Sequence, residues 1–237
     1  MDCRNKSGND EKEVSYAELS ITTNFTFLTG ASHPHEYMVR AAELGLGAVA
    51  VTDTNTFAGI VRAHAAAKEL GVKFIVGVRL VLQDGPDILA LPKTREAYAR
   101  LCRLLTIGKR RTTKGQCELY LKDVMEWSEG SVLIISGEMK GQVRRLIKSH
   151  KDEIYLGMAP QYDGQDHVHF AGRAKLAQKY HLPLVALGNV LMHKGARRRL
   201  AELVSETPIQ LILPCATSSD SAPMLSSIGT FGSIRCR

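Results

Sequence analysis

The sequence lacks the features that define several large classes of protein. Aromatic residues make up only 6% of its 237 residues, and no apolar run approaches the roughly 18 residues that a membrane-spanning helix needs. No apolar signal core follows the polar start, so secretion is not expected. The five cysteines are scattered and form no Cys-x-x-Cys pair, which argues against a zinc ribbon or a disulfide framework and favours a cytoplasmic location. No Gly-x-x-x-x-Gly-Lys loop is present, so a P-loop nucleotide enzyme is disfavoured.

The remaining composition is that of an ordinary globular protein. Hydrophobic residues make up 44% of the chain and charged residues 23%. The net charge of +7 permits contact with nucleic acid or another polyanion but does not establish it. Residues 1–13 are polar and are predicted to be disordered, whereas residues 205–237 are rich in serine and are predicted to form a poorly ordered tail. The folded domain is therefore expected to span residues 14–204.

Short β-type runs alternate with amphipathic helical runs along this domain. The strands are predicted at residues 18–22, 48–52, 73–80, 87–91, 131–135, 153–158 and 182–187. The helices are predicted at residues 36–44, 57–70, 95–105, 140–150 and 166–180. Alternation at this spacing predicts an α/β fold with a mostly parallel sheet and helical crossovers. About seven such units fit a barrel as readily as an open sheet.

Four ordered motifs resemble one known family. The stretch from Tyr16 to Pro34, the Val51-Thr52-Asp53 segment, the Phe74-Ile75-Val76-Gly77 strand and the Leu182–His193 segment occur in its order and spacing. They resemble the PHP (polymerase and histidinol phosphatase) domain at the N-terminus of bacterial C-family DNA polymerases, most closely the error-prone branch. The resemblance covers roughly residues 14–204.

This resemblance implies a fold, a parent activity and a partner. The implied fold is an irregular (β/α)7-type barrel with outer helices, which agrees with the alternation. The parent activity is DNA-directed DNA synthesis in damage tolerance, carried by a polymerase palm that lies downstream in that family. The chain is therefore expected to be the front domain of a truncated polymerase, from a frameshift or premature stop near residue 201 or as a deliberate fragment. Its expected partner is the remainder of the polymerase.

The resemblance also assigns the positions of a metal pocket, which in active members holds ions with His, Asp and Glu side chains. Only Asp53 and His193 are retained, and hydroxyls and amides are weak ligands for transition metals. A cation such as Arg79 would oppose a metal ion by about 4 kcal/mol at a moderate effective dielectric. We therefore expect no metal cofactor and no catalysis. The degenerate positions are Ser20, Thr22, Thr29, Thr54, Arg79, Asn189 and Leu191.

Two alternatives remain open from the sequence. One is a phosphoesterase with a rearranged metal site built on Asp53, His193 and a nearby histidine. The other is a DNA-binding module, because Lys and Arg neutralise backbone phosphates without reading sequence. The His167-Val168-His169 motif falls at a predicted helix start, where its two rings diverge, so metal binding there is disfavoured. The candidate DNA-binding residues are Lys109, Arg110, Arg111, Arg144, Arg145, Arg197, Arg198 and Arg199.

Overall fold

The computed structural model describes residues 16–139, 143–150 and 152–206. The predicted disordered segment 1–13 and residues 207–237 of the predicted tail lie outside the described residues. The first two residues of that tail, 205 and 206, belong to the last helix. None of the described helices is long and apolar enough to cross a membrane.

Eight strands form two sheets in the part of the chain that the structure describes. The first sheet is parallel, in the order β1-β2-β3, with β1 at Ala17–Ile21, β2 at Ala48–Val51 and β3 at Phe74–Val76. The second sheet has the order β4-β5-β6-β7-β8, and its β4-β5 and β5-β6 pairs are antiparallel, whereas β6-β7 and β7-β8 are parallel. Its strands are Val78–Leu80, Ile88–Pro92, Ser131–Ile135, Ile154–Met158 and Leu184–Ala186. The predicted α/β class with parallel strands is confirmed.

The two sheets are joined at both ends. Gly77 alone separates β3 from β4, so the single strand predicted at residues 73–80 is wrong. A side chain at Gly77 would meet the Leu91 and Thr52 side chains at 2.6 and 2.7 Å, which explains why glycine stands there. At the other end, the Val190 amide donates to the Ser20 carbonyl at 3.0 Å, and the Thr22 amide donates to the Val190 carbonyl at 2.9 Å. The segment after β8 therefore pairs with the end of β1.

Within the described ranges, seven α-helices accompany these strands. The helix starts follow local chemistry: Pro34 occupies the first position of α1, and the Thr94 hydroxyl accepts the Ala97 amide at the start of α3. Two helices, α4 and α7, were not predicted, and α3 continues five residues beyond its predicted end. Within this extension, a side chain at Gly108 would collide with Leu119 at 2.5 Å. The helices are α1 Pro34–Glu43, α2 Ile60–Leu70, α3 Arg95–Arg110, α4 Leu121–Trp127, α5 Val143–Ser149, α6 Asp166–Tyr180 and α7 Arg198–Glu206, the last preceded by a 3-10 turn at Gly195–Arg197.

Alternate strand residues supply two sides of the core. In β5, Ile88 and Ala90 pack in the cluster that includes residues of α3 to α6. Leu89 and Leu91 of the same strand pack instead with Ala50 of β2 and Ile134 of β6. Successive strand side chains point to opposite faces, so the strands are covered by helices on one side and by other strands on the other. This arrangement leaves the carboxyl ends of the strands, where Asp53 lies, to form a polar pocket.

Candidate functional site

Asp53 lies two residues beyond the end of β2 and is almost completely buried, with 1% of its surface exposed. Its Oδ1 atom accepts hydrogen bonds from the Thr23 amide at 2.7 Å and from the Thr26 hydroxyl at 2.8 Å. Its Oδ2 atom accepts the Thr23 hydroxyl at 2.7 Å. Burial raises the pKa of Asp53 above its usual value, although the hydrogen bonds from Thr23 and Thr26 lower it. Asp53 therefore fastens the loop that follows β1.

Glu18 is a second buried carboxylate, which the sequence analysis missed. It lies in β1, 4% exposed, and its Oε1 atom accepts the amide and the hydroxyl of Ser20 at 2.8 and 2.7 Å. The Gly188 amide also donates to Oε1, at 3.2 Å, and the Tyr16 hydroxyl donates to Oε2 at 2.8 Å. Glu18 therefore accepts four hydrogen bonds from protein donors, three at Oε1 and one at Oε2. The available signal was the strand period of two, which places Glu18, Ser20 and Thr22 on one face.

Arg79 crosses the pocket from β4. Its Nη2 atom donates to Oδ1 of Asn189 at 2.6 Å, and its amide donates to the Asp53 carbonyl at 3.1 Å. Burial lowers the pKa of Arg79, which Asp87 opposes, but a guanidinium stays charged in proteins. Thr54 forms an isolated bridge with Arg79, and its amide donates to the Thr26 hydroxyl at 2.9 Å. The charged side chain of Arg79 is thus bonded to Asn189, and its backbone pairs with the segment at Asp53 and Thr54.

His193 is held by a different set of partners. Its Nδ1 atom lies 2.8 Å from the Ser32 hydroxyl and 3.8 Å from Oε2 of Glu36 in α1. The other oxygen of Glu36 pairs with Arg197 at 2.5 Å. Burial lowers the pKa of His193, which favours the neutral ring. The described contacts of the two retained residues, Asp53 and His193, are thus with separate groups.

The remaining pocket positions offer little to a metal ion. The Thr22 carbonyl accepts the Tyr37 hydroxyl at 2.9 Å, and the Leu191 carbonyl accepts the Ala31 amide at 3.0 Å. Thr29 is half-buried, and its amide donates to the Thr26 carbonyl at 3.2 Å. A cavity of about 670 Å³ adjoins this region, and its lining includes Asn189, Leu191, Met192, Phe170 and Arg173.

The residues present do not fit the metal cluster that the resemblance implies. In the described part of the chain, no three His, Cys, Asp or Glu side chains are grouped so that they could hold a metal ion. The carboxylate oxygens of Glu18 and Asp53 already accept hydrogen bonds from protein donors. The guanidinium of Arg79 donates to Asn189, another of the pocket positions, and its fixed charge would repel a divalent cation held nearby.

The predicted DNA-binding residues do not form one surface of free cations. Arg111 makes a two-bond ion pair with Asp123, at 2.5 and 2.8 Å. Arg197 pairs with Glu36, and Arg198 pairs with Glu202 at 2.9 Å. Of the predicted residues, all but Arg197 are exposed, and those that are exposed with no ion pair in the described ranges are Lys109, Arg110, Arg144, Arg145 and Arg199.

The His167-Val168-His169 motif lies at the start of α6, as predicted. Nε2 of His169 pairs with Oδ2 of Asp163 at 2.8 Å.

Comparison with known proteins identifies the family. The chain is 43% identical to an error-prone DNA polymerase of Ruegeria pomeroyi and 43% identical to error-prone DNA polymerase 1 of Rhizobium meliloti. Each match covers 81% of this chain but only 21% and 18% of the relatives, so the chain spans about a fifth of their length.

The fold and a family model agree with this relationship. An amidohydrolase from Chromobacterium violaceum, solved with bound sulfate and no metal, has a TM-score of 0.52 at 17% identity, over 80% of this chain and 97% of that chain. At this identity the likeness concerns the fold alone. The model of the PHP domain matches residues 18–171, which is well over half of the sequence. The chain therefore belongs to the PHP domain family.

Proposed function

We propose that this chain is a degenerate, metal-free PHP domain of an error-prone DNA polymerase, with a structural and not a catalytic role. In the full-length polymerase it stabilises the remainder of the chain, which is its main partner. The parent activity, DNA synthesis in damage-induced mutagenesis and translesion repair in the cytoplasm, belongs under this proposal to that remainder. The error-prone polymerases that the chain resembles support this assignment.

One observation carries the proposal. The two buried carboxylates of the pocket, Glu18 and Asp53, accept four and three hydrogen bonds from protein donors, respectively. Metal-assisted phosphoester hydrolysis depends on a bound ion that lowers the pKa of water to about 7. A hydrogen bond that a carboxylate oxygen accepts from a Thr or Ser hydroxyl would have to break before that lone pair could bind an ion. Under this proposal, the buried negative charge of Glu18 and Asp53 is stabilised by hydrogen bonds from the protein and not by metal ions.

The test is a metal titration combined with a substrate assay on the chain as it exists. Isothermal titration with Zn²⁺ and Mn²⁺ should give no stoichiometric binding, and the chain should not hydrolyse bis(p-nitrophenyl) phosphate above background. Asp53→Ala and His193→Gln are the matched variants, and both should leave the background rate unchanged. Stoichiometric metal with turnover that both variants abolish would overturn the proposal and support a phosphoesterase with a rearranged site. Binding measured without turnover would also contradict it, because it predicts no metal site.

A further inference from the structure

We propose that α5 and the C-terminal half of α6 form a surface that binds the phosphate backbone of duplex DNA. This surface, called here the α5–α6 surface, comprises Arg144, Lys148, Lys175, Lys179 and Tyr180. It lies on the helical layer and shares no residue with the metal pocket. The inference therefore stands or falls independently of the metal-free role proposed above.

Tyr180 brings the cations of two helices together. The Arg144 guanidinium of α5 lies 5.7 Å from the centre of the Tyr180 ring, and the Lys179 ammonium of α6 lies 5.5 Å from the same centre. The ring is half-buried and packs against the largest core cluster, so its position is fixed by the fold. Two cations that are 35 positions apart in sequence are thereby held on one aromatic platform.

Each of these cations is the end of a row along its helix. Arg144 and Lys148 are four residues apart in α5, and Lys175 and Lys179 are four residues apart in α6. Residues with this spacing lie on the same helix face, about 5–6 Å apart. All four side chains are exposed. The pair of cations on α5 and the pair on α6 therefore meet at Tyr180. The sequence of α5 alone does not indicate that the two pairs are neighbours.

Acidic residues are missing from this surface, and this sets it apart from the other basic segments. The α5 helix contains no Asp or Glu, and the single acidic residue of α6 is Asp166, at the opposite end of that helix. Over the described ranges 16–139, 143–150 and 152–206, none of the four cations forms an ion pair. Glu153, in the turn before β7, is engaged by Lys93. A merely solvated helix face ordinarily mixes both signs of charge.

The chemistry of the surface favours a phosphate backbone. Lys and Arg neutralise phosphates and release condensed counterions, which supplies most of the affinity of sequence-independent DNA binding. The surface has one aromatic residue that is already covered by two cations, so it offers no row of rings for stacking unpaired bases. The relatives that the chain resembles are named as DNA polymerases, whose products are duplexes. Duplex DNA is therefore the partner that we assign.

The test is fluorescence anisotropy of a labelled duplex of about 20 base pairs, at salt concentrations from about 50 to 200 mM. The surface variant combines Arg144→Gln, Lys148→Gln and Lys179→Gln. The control variant combines Arg62→Gln, Lys68→Gln and Lys73→Gln, which removes the same charge from exposed positions in and just after α2. The surface variant should lose about tenfold or more in affinity at low salt, and its salt slope should fall in magnitude by about 2–3, since each contact contributes about 0.9. The control should stay within about threefold of the wild-type chain.

Three outcomes would overturn the inference. The first is that the wild-type chain does not bind the duplex at low salt. The second is an equal loss in the two variants, which would assign binding to net charge. The third is that labelled poly-glutamate of matched charge binds as tightly as DNA and is lost in the surface variant, which would indicate an acidic protein as partner. Circular dichroism of both variants verifies that they remain folded, so a loss of binding cannot come from unfolding.

Discussion

Asp53 organises the loop that connects β1 to α1. Its carboxylate accepts the Thr23 amide and the hydroxyls of Thr23 and Thr26 while being almost fully buried. Replacement by Ala leaves a buried amide without an acceptor, at about 1–3 kcal/mol, and removes two further bonds. We expect Asp53→Ala to lower the free energy of unfolding by about 3 kcal/mol or more, measured by urea denaturation at pH 7.

Asp53→Asn and Asp152→Ala are the controls for this change. An asparagine keeps an acceptor oxygen for the Thr23 amide, and its amino group can donate to the Thr23 hydroxyl, so we expect a cost of about 1 kcal/mol. Asp152 is exposed, and its replacement should change stability by less than about 0.5 kcal/mol. If Asp53→Ala cost no more than Asp152→Ala, the hydrogen bonds of Asp53 would not hold the loop.

The residues of the pocket were only partly predictable from the sequence. Asp53 could be located because it follows an apolar strand whose end faces the pocket. Glu18 could not be distinguished from a surface residue, because its four donors come from Tyr16, Ser20 and Gly188, and Gly188 is distant in the chain. Such a bond between distant segments exists only once the strands are placed side by side.

The pair Arg111–Asp123 connects two neighbouring helices, the end of α3 and the start of α4. Asp123 also accepts the Tyr120 amide at 3.0 Å and so caps α4. The hydrogen bonds from Arg111 hold the pKa of Asp123 below its usual value. Because this folded-state pKa lies below the unfolded value of about 4, the stabilisation is fully present above pH 4 and is lost as the pH falls through the folded pKa.

We therefore expect a pH-dependent effect of Asp123→Asn. At pH 7 the variant should be less stable than the wild-type chain by about 1–2 kcal/mol, because it loses charge-assisted bonds to Arg111 and part of the cap. The difference should narrow as the pH falls below about 4, since Asp123 then becomes protonated in the wild-type chain. Urea denaturation of both proteins between pH 7 and pH values below about 4 measures this difference in unfolding free energy, with Asp152→Asn as the control. A difference that stays constant with pH would show that packing, and not charge, explains the cost.

Of these two helices, α4 shows where the prediction of elements from sequence fails. The strong apolar runs of β2, β5 and β6 were predicted within one or two residues, because strands covered on both faces read as continuous apolar sequence. The α4 helix has only seven residues, too few for a helical period to stand out, and its cap depends on the side chain of Asp123. Short helices fixed by tertiary contacts leave little trace in the sequence.

At the scale of the whole molecule, the order of the strands around the fold depends on the segment after β8. The alternation of strands and helices predicted the class, but the sequence did not indicate that a bridge at Val190 would join the end of the second sheet to β1. Asn189, just before this bridge, adopts a positive φ of 49°, which only a few residue types tolerate at low cost. Next to this bridge, the Gly188 amide donates to the Glu18 carboxylate and the Asn189 amide donates to the Ser20 hydroxyl. The segment 188–190 therefore both pairs with β1 and contacts the pocket residues Glu18 and Ser20.

Val190→Pro tests whether this closure couples the two sheets. Proline removes the amide that donates to the Ser20 carbonyl, and it restricts the backbone of the preceding Asn189, whose φ is positive. Val190→Ala keeps the amide and is the control. We expect Val190→Pro to lower the midpoint of a single urea transition and to speed hydrogen exchange in peptides from both sheets, β1–β2 and β6–β7 together, whereas Val190→Ala has a smaller effect. Faster exchange confined to residues 188–193 would show that the sheets are stable without the bridge. The two sheets would then not unfold as one cooperative unit.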